Sequence, residues 1–477
     1  MGRPRTVAAV TDLVELTAVE QRRLLGTRAV SAGELLDAHL ARIEAVNPTV
    51  NAVIALDPEV GRRRARAVDA AIARGDDPGA LAGLVTAHKD LTETADFPTT
   101  YGSPVFDGFR PAADSLLVAR MAAAGAVAVG KTNTPELGAG SHTFNPLHGT
   151  TRNPWDVART AGGSSGGAAA ALACRMVAVA DGSDMGGSLR NPAAWNSVVG
   201  FRPTPRAVPR VGPGNAWLPL SVEGPMGRTV GDTALLLGVL AAPDARDPLH
   251  RPVTVPAELR PVDGEARVAW SRDLGGRPVE PGQLAVLDGV RQMMVGLGWV
   301  VVDAEPDLAG ADECFRTLRA WSFANGAAGL LGDRLGDVKA TIQDEVRRGR
   351  ALSAGDVARA YEQLSELGRR AVSFFERWDV LAAPVTQLAP FSVELEYPTE
   401  VAGRTMSSYI DWMATCWRVT VTGCPAMSLP AGFDAHGLPV GVQLVARPGA
   451  DVDLLRIGAA LEAATDLASR RPSVVAR

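Results

Sequence analysis

The chain predicts an α/β fold, on three observations. Segments with helical apolar spacing alternate with short Val/Ala/Leu runs that read as buried strands, the pattern of helices packed on an internal sheet. Glycine- and serine-rich turns follow several of those runs, where α/β sheets gather their functional groups. Of the 477 residues 46% are apolar and 21% charged, the balance of a globular protein with a large core. A chain this long has room for two or three average domains, yet α/β enzymes of this size also fold as one unit.

Residues 1–75 read as an N-terminal helical segment. Capping boxes at Thr17-x-x-Glu20 and Ser31-x-x-Glu34 open helices, and the second leads an apolar stripe of Leu35, Leu36, His39, Leu40 and Ile43. His39 on that stripe reads as a packing residue, and Asn47-Pro48 is expected to end the helix. An Arg-rich helix over 58–73 is placed at the surface. A strand over 83–87 then delivers His88, Lys89 and Asp90 at its end. Residues 114–124 read as helix and 126–129 as strand. Gly125 to Thr132 formally matches GxxxxGK[ST], but the strand lies where the phosphate loop must be and Pro135 interrupts the helix that should follow. Nucleotide binding is rejected on that ground, and Lys131 is read as structural.

Residues 136–155 form a long Gly/Ser/His/Asn-rich loop expected to carry substrate contacts, among them Gly138, Ser141 and Phe144. His142 and His148 there lack the H-E-x-x-H spacing or an acidic partner, so they read as loop hydrogen-bonding groups and no metal is expected. Further on, Thr229-Val230 leads a helix through Leu237, and the proline-rich 241–262 is the stretch expected to be most flexible. A strand over 267–270, a helix over 282–297 and a strand over 299–302 repeat the α/β rhythm. Two long helices, 308–330 and 353–377, are expected to form a cap over the site or the face of a homodimer. Residues 241–376 read as the most variable, helical insertion. The segments VLAAPV, CPAMSLPAGF and LPVGVQLVA read as closing strands, with a last helix from Val452.

The stretch from Trp155 to Thr204 holds the chemistry. Two knots, Gly162-Gly163-Ser164-Ser165-Gly166-Gly167 and Gly182-Ser183-Asp184-Met185-Gly186-Gly187-Ser188, flank an Ala-rich run, 168–180, that reads as a short buried helix turning into a strand. Backbone N–H groups in such loops can cradle an oxyanion, and a serine facing them is the minimum equipment for acyl transfer. Composition points to a base. The chain has only three lysines, Lys89, Lys131 and Lys339, against 45 arginines. Where arginine dominates so strongly, lysine persists by chance or where arginine will not serve, and only lysine can give up its proton in a protein.

The order GGSSGG, GSDMGGSLRNPA, VVGFRPT, with TAHKDLTET upstream, resembles the amidase signature family of serine amidases, among them bacterial aryl acylamidases. The resemblance covers most of the chain and is weakest over 241–376. It implies a single α/β/α sandwich with a mixed central sheet over 1–477. It also implies Ser188 as nucleophile, Ser164 as bridging serine, Lys89 as base and a cis peptide before Ser164. The oxyanion hole falls on Met185, Gly186, Gly187 and Ser188, with Ser165, Asp184 and Arg190 in support. Ala161 and Ser183 depart mildly from the family pattern, where Pro and Thr are common. Trp195-Asn196 replaces a small pair, and these two are assigned to the substrate pocket, with Trp217, Met185 and Trp412 as further aromatic or apolar candidates.

The activity this implies is hydrolysis of carboxylic amides, N-substituted or aryl amides first, with carbamates and esters open to the same relay and no cofactor. One alternative is the glutaminase component of a tRNA-dependent amidotransferase complex, which would require partner proteins. Another is an α/β-hydrolase esterase built on Gly162-x-Ser164-x-Gly166, for which only His250 and His436 follow the serine. The net charge of −5 argues against direct nucleic-acid binding. Cys174, Cys314, Cys416 and Cys424 show no paired spacing, and no signal peptide or membrane-length apolar run is seen, so a cytoplasmic protein is expected.

Overall fold

The computed structural model describes residues 13–212 and 215–475. Eight strands form a mixed sheet in the order Val300–Asp303, Arg267–Trp270, Val380–Pro384, Pro439–Val445, Ala426–Phe433, Val199–Arg202, Val222–Gly227, Val179–Asp184. The first three run parallel, and every later pairing is antiparallel. Successive side chains point to opposite faces. Val380 and Ala382 accordingly enter one apolar cluster, and Leu381 and Ala383 another. Both faces are covered, which is why these strands read as continuous apolar runs. Val230–Leu240, Pro281–Gly296 and Asp451–Ala463 cover one face, and Gly166–Ala173, Arg190–Asn196 and Ala414–Thr420 the other. The α/β/α sandwich is therefore present.

A smaller sheet pairs Val85–Lys89 with Val127–Thr132, in parallel, and the latter with Val53–Ile54. Its free edge lies against Val179–Asp184. There the Ala178 N–H reaches the Val85 carbonyl at 2.8 Å, and the Lys89 N–H donates to the Asp181 carboxylate at 3.3 Å. A side chain thus completes a pairing that the backbone leaves open, and it brings Lys89 beside the strand that leads to Ser188.

Both N-terminal capping boxes form, at the starts of Ala18–Gly26 and Ala32–Val50. Residues 1–12 of the expected N-terminal helical segment lie outside the described residues. Asn47-Pro48 does not end the second helix, which runs on to Val50 and closes on left-handed Asn51. Asn47 supplies the stop from within: its Oδ1 accepts the N–H groups of Ala52 and Val53 and its Nδ2 donates to the Val53 carbonyl. The helix expected over 308–330 is Ala311–Asn325, broken at Gly326 and followed by Ala327–Leu331. A further helix, Ala340–Arg350, absent from the sequence reading, crosses it so closely that a Cβ on Gly349 would lie 2.0 Å from the Ala320 carbonyl oxygen. Residues 242–266 carry no helix or strand, yet Val253, Val255, Leu259 and Val262 pack onto the main core, so this stretch is not a free linker.

Candidate active site

Lys89 ends its strand with its side chain fully buried, and its Nζ meets three hydroxyls: Ser164 at 2.7 Å, Ser165 at 2.9 Å and Ser183 at 3.0 Å. Burial pushes the ammonium down from 10.5 to about 7, against the opposing charges of Asp181 and Asp184. Gly163–Ser164 is cis, as the motif resemblance implies. The Ser164 carbonyl accepts the Thr134 hydroxyl at 3.0 Å, and the Ser165 N–H donates to the Ser188 carbonyl at 3.2 Å, so the two knots are stitched together. Ser183, read from the motif only as a mild departure, is a third hydroxyl on the amine.

The second knot is held from below. The buried Asp184 carboxylate accepts the N–H of Gly187 at 2.9 Å and of Leu189 at 3.2 Å, and pairs with the guanidinium of Arg190 at 2.9 and 3.0 Å. Burial alone would raise this carboxyl, but Arg190 and Arg202 hold it well below the usual carboxylate range. Arg190 in turn donates to the Cys416 carbonyl, Gln443 and Thr420. Gly187 has φ 115°, and a Cβ there would lie 2.6 Å from Cys416 Cβ, so only glycine fits. One expected oxyanion donor is corrected: the Gly187 amide is engaged by Asp184. The amides of Met185, Gly186 and Ser188 find no acceptor among the described residues and border the cavity.

That cavity is lined by Ser164, Ser183 and Ser188, by Gly138, and by Leu91, Leu137, Met185, Phe315, Phe323, Ile410 and Met413, with one cation, Arg319. Phe315, Arg319 and Phe323 come from Ala311–Asn325, so of the two long helices expected to cap the site or form a dimer face the first lines this cavity, and no lining residue comes from Ala354–Phe374. The Arg319 guanidinium lies 3.0 Å from Glu345 and over the rings of Phe323 and Tyr409. Among the described residues no hydrogen bond joins Ser188 to Ser164. A larger groove between Pro205, Leu364 and Val421 holds no lysine or serine pair of this kind.

Several assigned pocket residues lie elsewhere. Trp195 is fully buried, stacked on Trp412 with centroids 5.5 Å apart, edge-on to Phe391, and its Nε1 donates to the Leu388 carbonyl. Asn196 is also buried and donates to the carbonyls of Ala161 and Pro192, bracing the first knot. Trp217 is 69% exposed. Ser141 donates to the Gly163 carbonyl from behind the knot, while Phe144 borders a small adjoining void under the Lys339 amine. Trp195→Ala is therefore expected to lower stability by about 3–5 kcal/mol, the usual cost of truncating a buried Trp, and to leave the ratio of kcat/KM values between substrates unchanged. Urea unfolding and a two-substrate comparison check it.

The other two lysines and three of the histidines have structural partners. Lys131, pushed down to about 8 by burial, donates to the Thr92 carbonyl and to Thr99, which keeps the 92–99 loop in place. Lys339, also pushed down to about 8 by burial, donates to the Ala139 carbonyl. His39 bonds Met176 and Gln21, His142 bonds Thr160 and Val393, and His148 bonds Thr100. Among the described residues no group of three or more His, Cys, Asp or Glu is placed to hold a metal ion, and no helix is long and apolar enough to cross a membrane. The four cysteines are free and buried.

Residues 34–455 match the family model described as Amidase. The chain belongs to the amidase signature family. As an amidase it is a hydrolase acting on amide bonds, which removes the esterase built on a Gly-x-Ser-x-Gly elbow. It is 34% identical to an acylamidase of Rhodococcus erythropolis, over 96% of this chain and 97% of the relative. It is 36% identical to a glutamyl-tRNA(Gln) amidotransferase component of Nocardia farcinica, over 95% and 99%. Among solved structures, a bacterial aryl acylamidase superposes with a TM-score of 0.87 at 27% identity, covering 96% of this chain and 99% of that one. The 6-aminohexanoate cyclic dimer hydrolase follows at 0.86 and 31%, covering 97% and 99%.

Proposed function

We propose that this amidase hydrolyses N-substituted amides with apolar or aryl groups through Ser188, Ser164 and Lys89. The observation that carries the reading is the buried Lys89 amine on the hydroxyls of Ser164 and Ser183, two serines that line one cavity together with Ser188. Neutral Lys89 takes the Ser164 proton while Ser164 takes that of Ser188, whose Oγ attacks the amide carbon. The amides of Met185, Gly186 and Ser188 receive the developing oxyanion, where one donor is typically worth roughly 3–4 kcal/mol. Collapse of the adduct breaks the C–N bond as the proton returns through Ser164 to the departing amine. Water then attacks the Ser188 ester by the same relay, releasing the acid. Asp184 and Arg190 hold the donor loop and take no proton.

The apolar lining favours hydrophobic substrates. A second reading, the glutaminase part of an amidotransferase, is favoured by the relatives of that name and by Arg319 in the cavity, since a cation could receive the charged end of glutamine. Glu345 at 3.0 Å already offsets that cation, which leaves little net charge for a carboxylate. With an aryl anilide, a short primary amide and glutamine, kcat/KM is expected to be at least tenfold higher for the anilide, and Phe323→Ala should narrow the gap. A preference for glutamine, or activity that needs partner proteins with ATP and charged tRNA, would favour the second reading.

A further inference from the structure

Beside the Lys89 main chain, and outside the cavity lining, lies a buried pair that the relay does not use. The His88 ring meets Asp181 at 2.7 Å, with side chains 3% and 0% exposed. The second oxygen of Asp181 accepts the Lys89 N–H at 3.3 Å and the Thr92 hydroxyl at 3.1 Å. Burial alone would raise the Asp181 carboxyl, but His88, Lys131 and these hydrogen bonds hold it below its usual range, so it accepts and His88 Nδ1 carries the proton. The pair occupies the point where the register between Val85–Lys89 and Val127–Thr132 slips, between Thr86 and His88. It also sits two residues before Ser183, one of the three hydroxyls on the Lys89 amine. A single carboxylate therefore ties the lysine's main chain to the strand that carries part of its side chain's surroundings.

We propose that His88 and Asp181 are a positioning pair for Lys89, the carboxylate fixing the lysine's main chain and supplying a fixed negative charge behind its amine. The inference rests on Lys89 being the base. Lys131 from the neighbouring strand and Glu223 from the paired strand Val222–Gly227 act on Asp181, and Asp184 is the other carboxylate acting on Lys89. Removing the Asp181 charge destabilises protonated Lys89, so the amine is free at lower pH. Removing His88 leaves the carboxylate charge less dispersed, and the amine holds its proton to higher pH.

The test is the pH profile of kcat/KM for the parent, Asp181→Asn, His88→Leu, His88→Asn and Lys89→Met. The acid limb should move down by about one unit in Asp181→Asn, the lower end of the shift an opposite charge at this range produces. It should move up in His88→Leu and return toward the parent in His88→Asn, whose amide can donate where Nδ1 does. Unmoved limbs, whatever the fall in rate, would mean that the pair is only structural. If Asp181→Asn does not fold, the two His88 variants decide. Retained activity in Lys89→Met would sink the base assignment itself, while an inactive Lys89→Met with unmoved limbs elsewhere would sink only the positioning role.

Discussion

Lys89→Arg should be as inactive as Lys89→Met, with kcat down by about 10³-fold, within the span general-base catalysis contributes. The charge survives the substitution, but the ability to lose a proton does not, because a guanidinium stays protonated at any pH an enzyme meets. The space is also wrong: three hydroxyls lie within 3.0 Å of Nζ, and a planar fork cannot take the same contacts. Ser188→Ala should fall to background, and Ser164→Ala should keep a trace of activity because water can bridge in part. A fluorophosphonate should modify Ser188, read by peptide mapping. A Lys89→Arg protein with most of its activity at neutral pH, or an adduct on Ser164, would overturn the relay.

The same lysine sets the pH dependence. With Lys89 pushed down to about 7, kcat/KM should rise with pH through that value as the amine becomes free. The stability sign follows. The folded chain sheds this proton near 7 while the unfolded chain keeps it to about 10.5, so between those values the unfolded state binds more protons and stability rises with pH. Below about 7 the full cost of burying a charged lysine is present.

The reactive centre was legible because its parts are local. Each knot is one uninterrupted motif, and the scarcity of lysine singled out Lys89 and Lys131 without any resemblance. The same scarcity could have pointed to Lys339, since all three lysines are drawn down by burial. The pocket was not legible. Trp195 is near Ser188 in sequence, but the helix Arg190–Asn196 starts two residues after the serine, and residue 195 lies more than a turn along it, in the packing beneath the loop. Phe315, Phe323, Ile410 and Met413 line the cavity from segments more than a hundred residues away. Nothing in their local spacing separates a cavity wall from core. The His88–Asp181 pair was hidden for the same reason, its two halves lying 93 residues apart.

Asp184→Asn is expected to cost the most stability of any substitution at the site, about 3–5 kcal/mol, the usual penalty for stripping one partner from a buried ion pair. Arg190 and Arg202 are both fully buried, and Asp184 is the carboxylate paired with each. Two of the Arg202 guanidinium nitrogens already lack partners among the described residues. An asparagine accepts through one oxygen and carries no charge, so two cations remain in a dry interior with nothing to offset them. The damage reaches catalysis as well. The Gly187 and Leu189 amides lose their carboxylate acceptor, and the loop that aims the amides of Met185, Gly186 and Ser188 is no longer tied to the sheet. With one oxyanion donor worth roughly 3–4 kcal/mol, kcat should fall at least 10²-fold in whatever fraction stays folded. Urea unfolding and active-site-titrated kinetics separate the two losses. Adding Arg202→Met to Asp184→Asn should recover part of the stability, since it removes one unpaired cation, and little of the rate. Recovery of the rate with the stability would mean that Asp184 serves only the packing and not the loop.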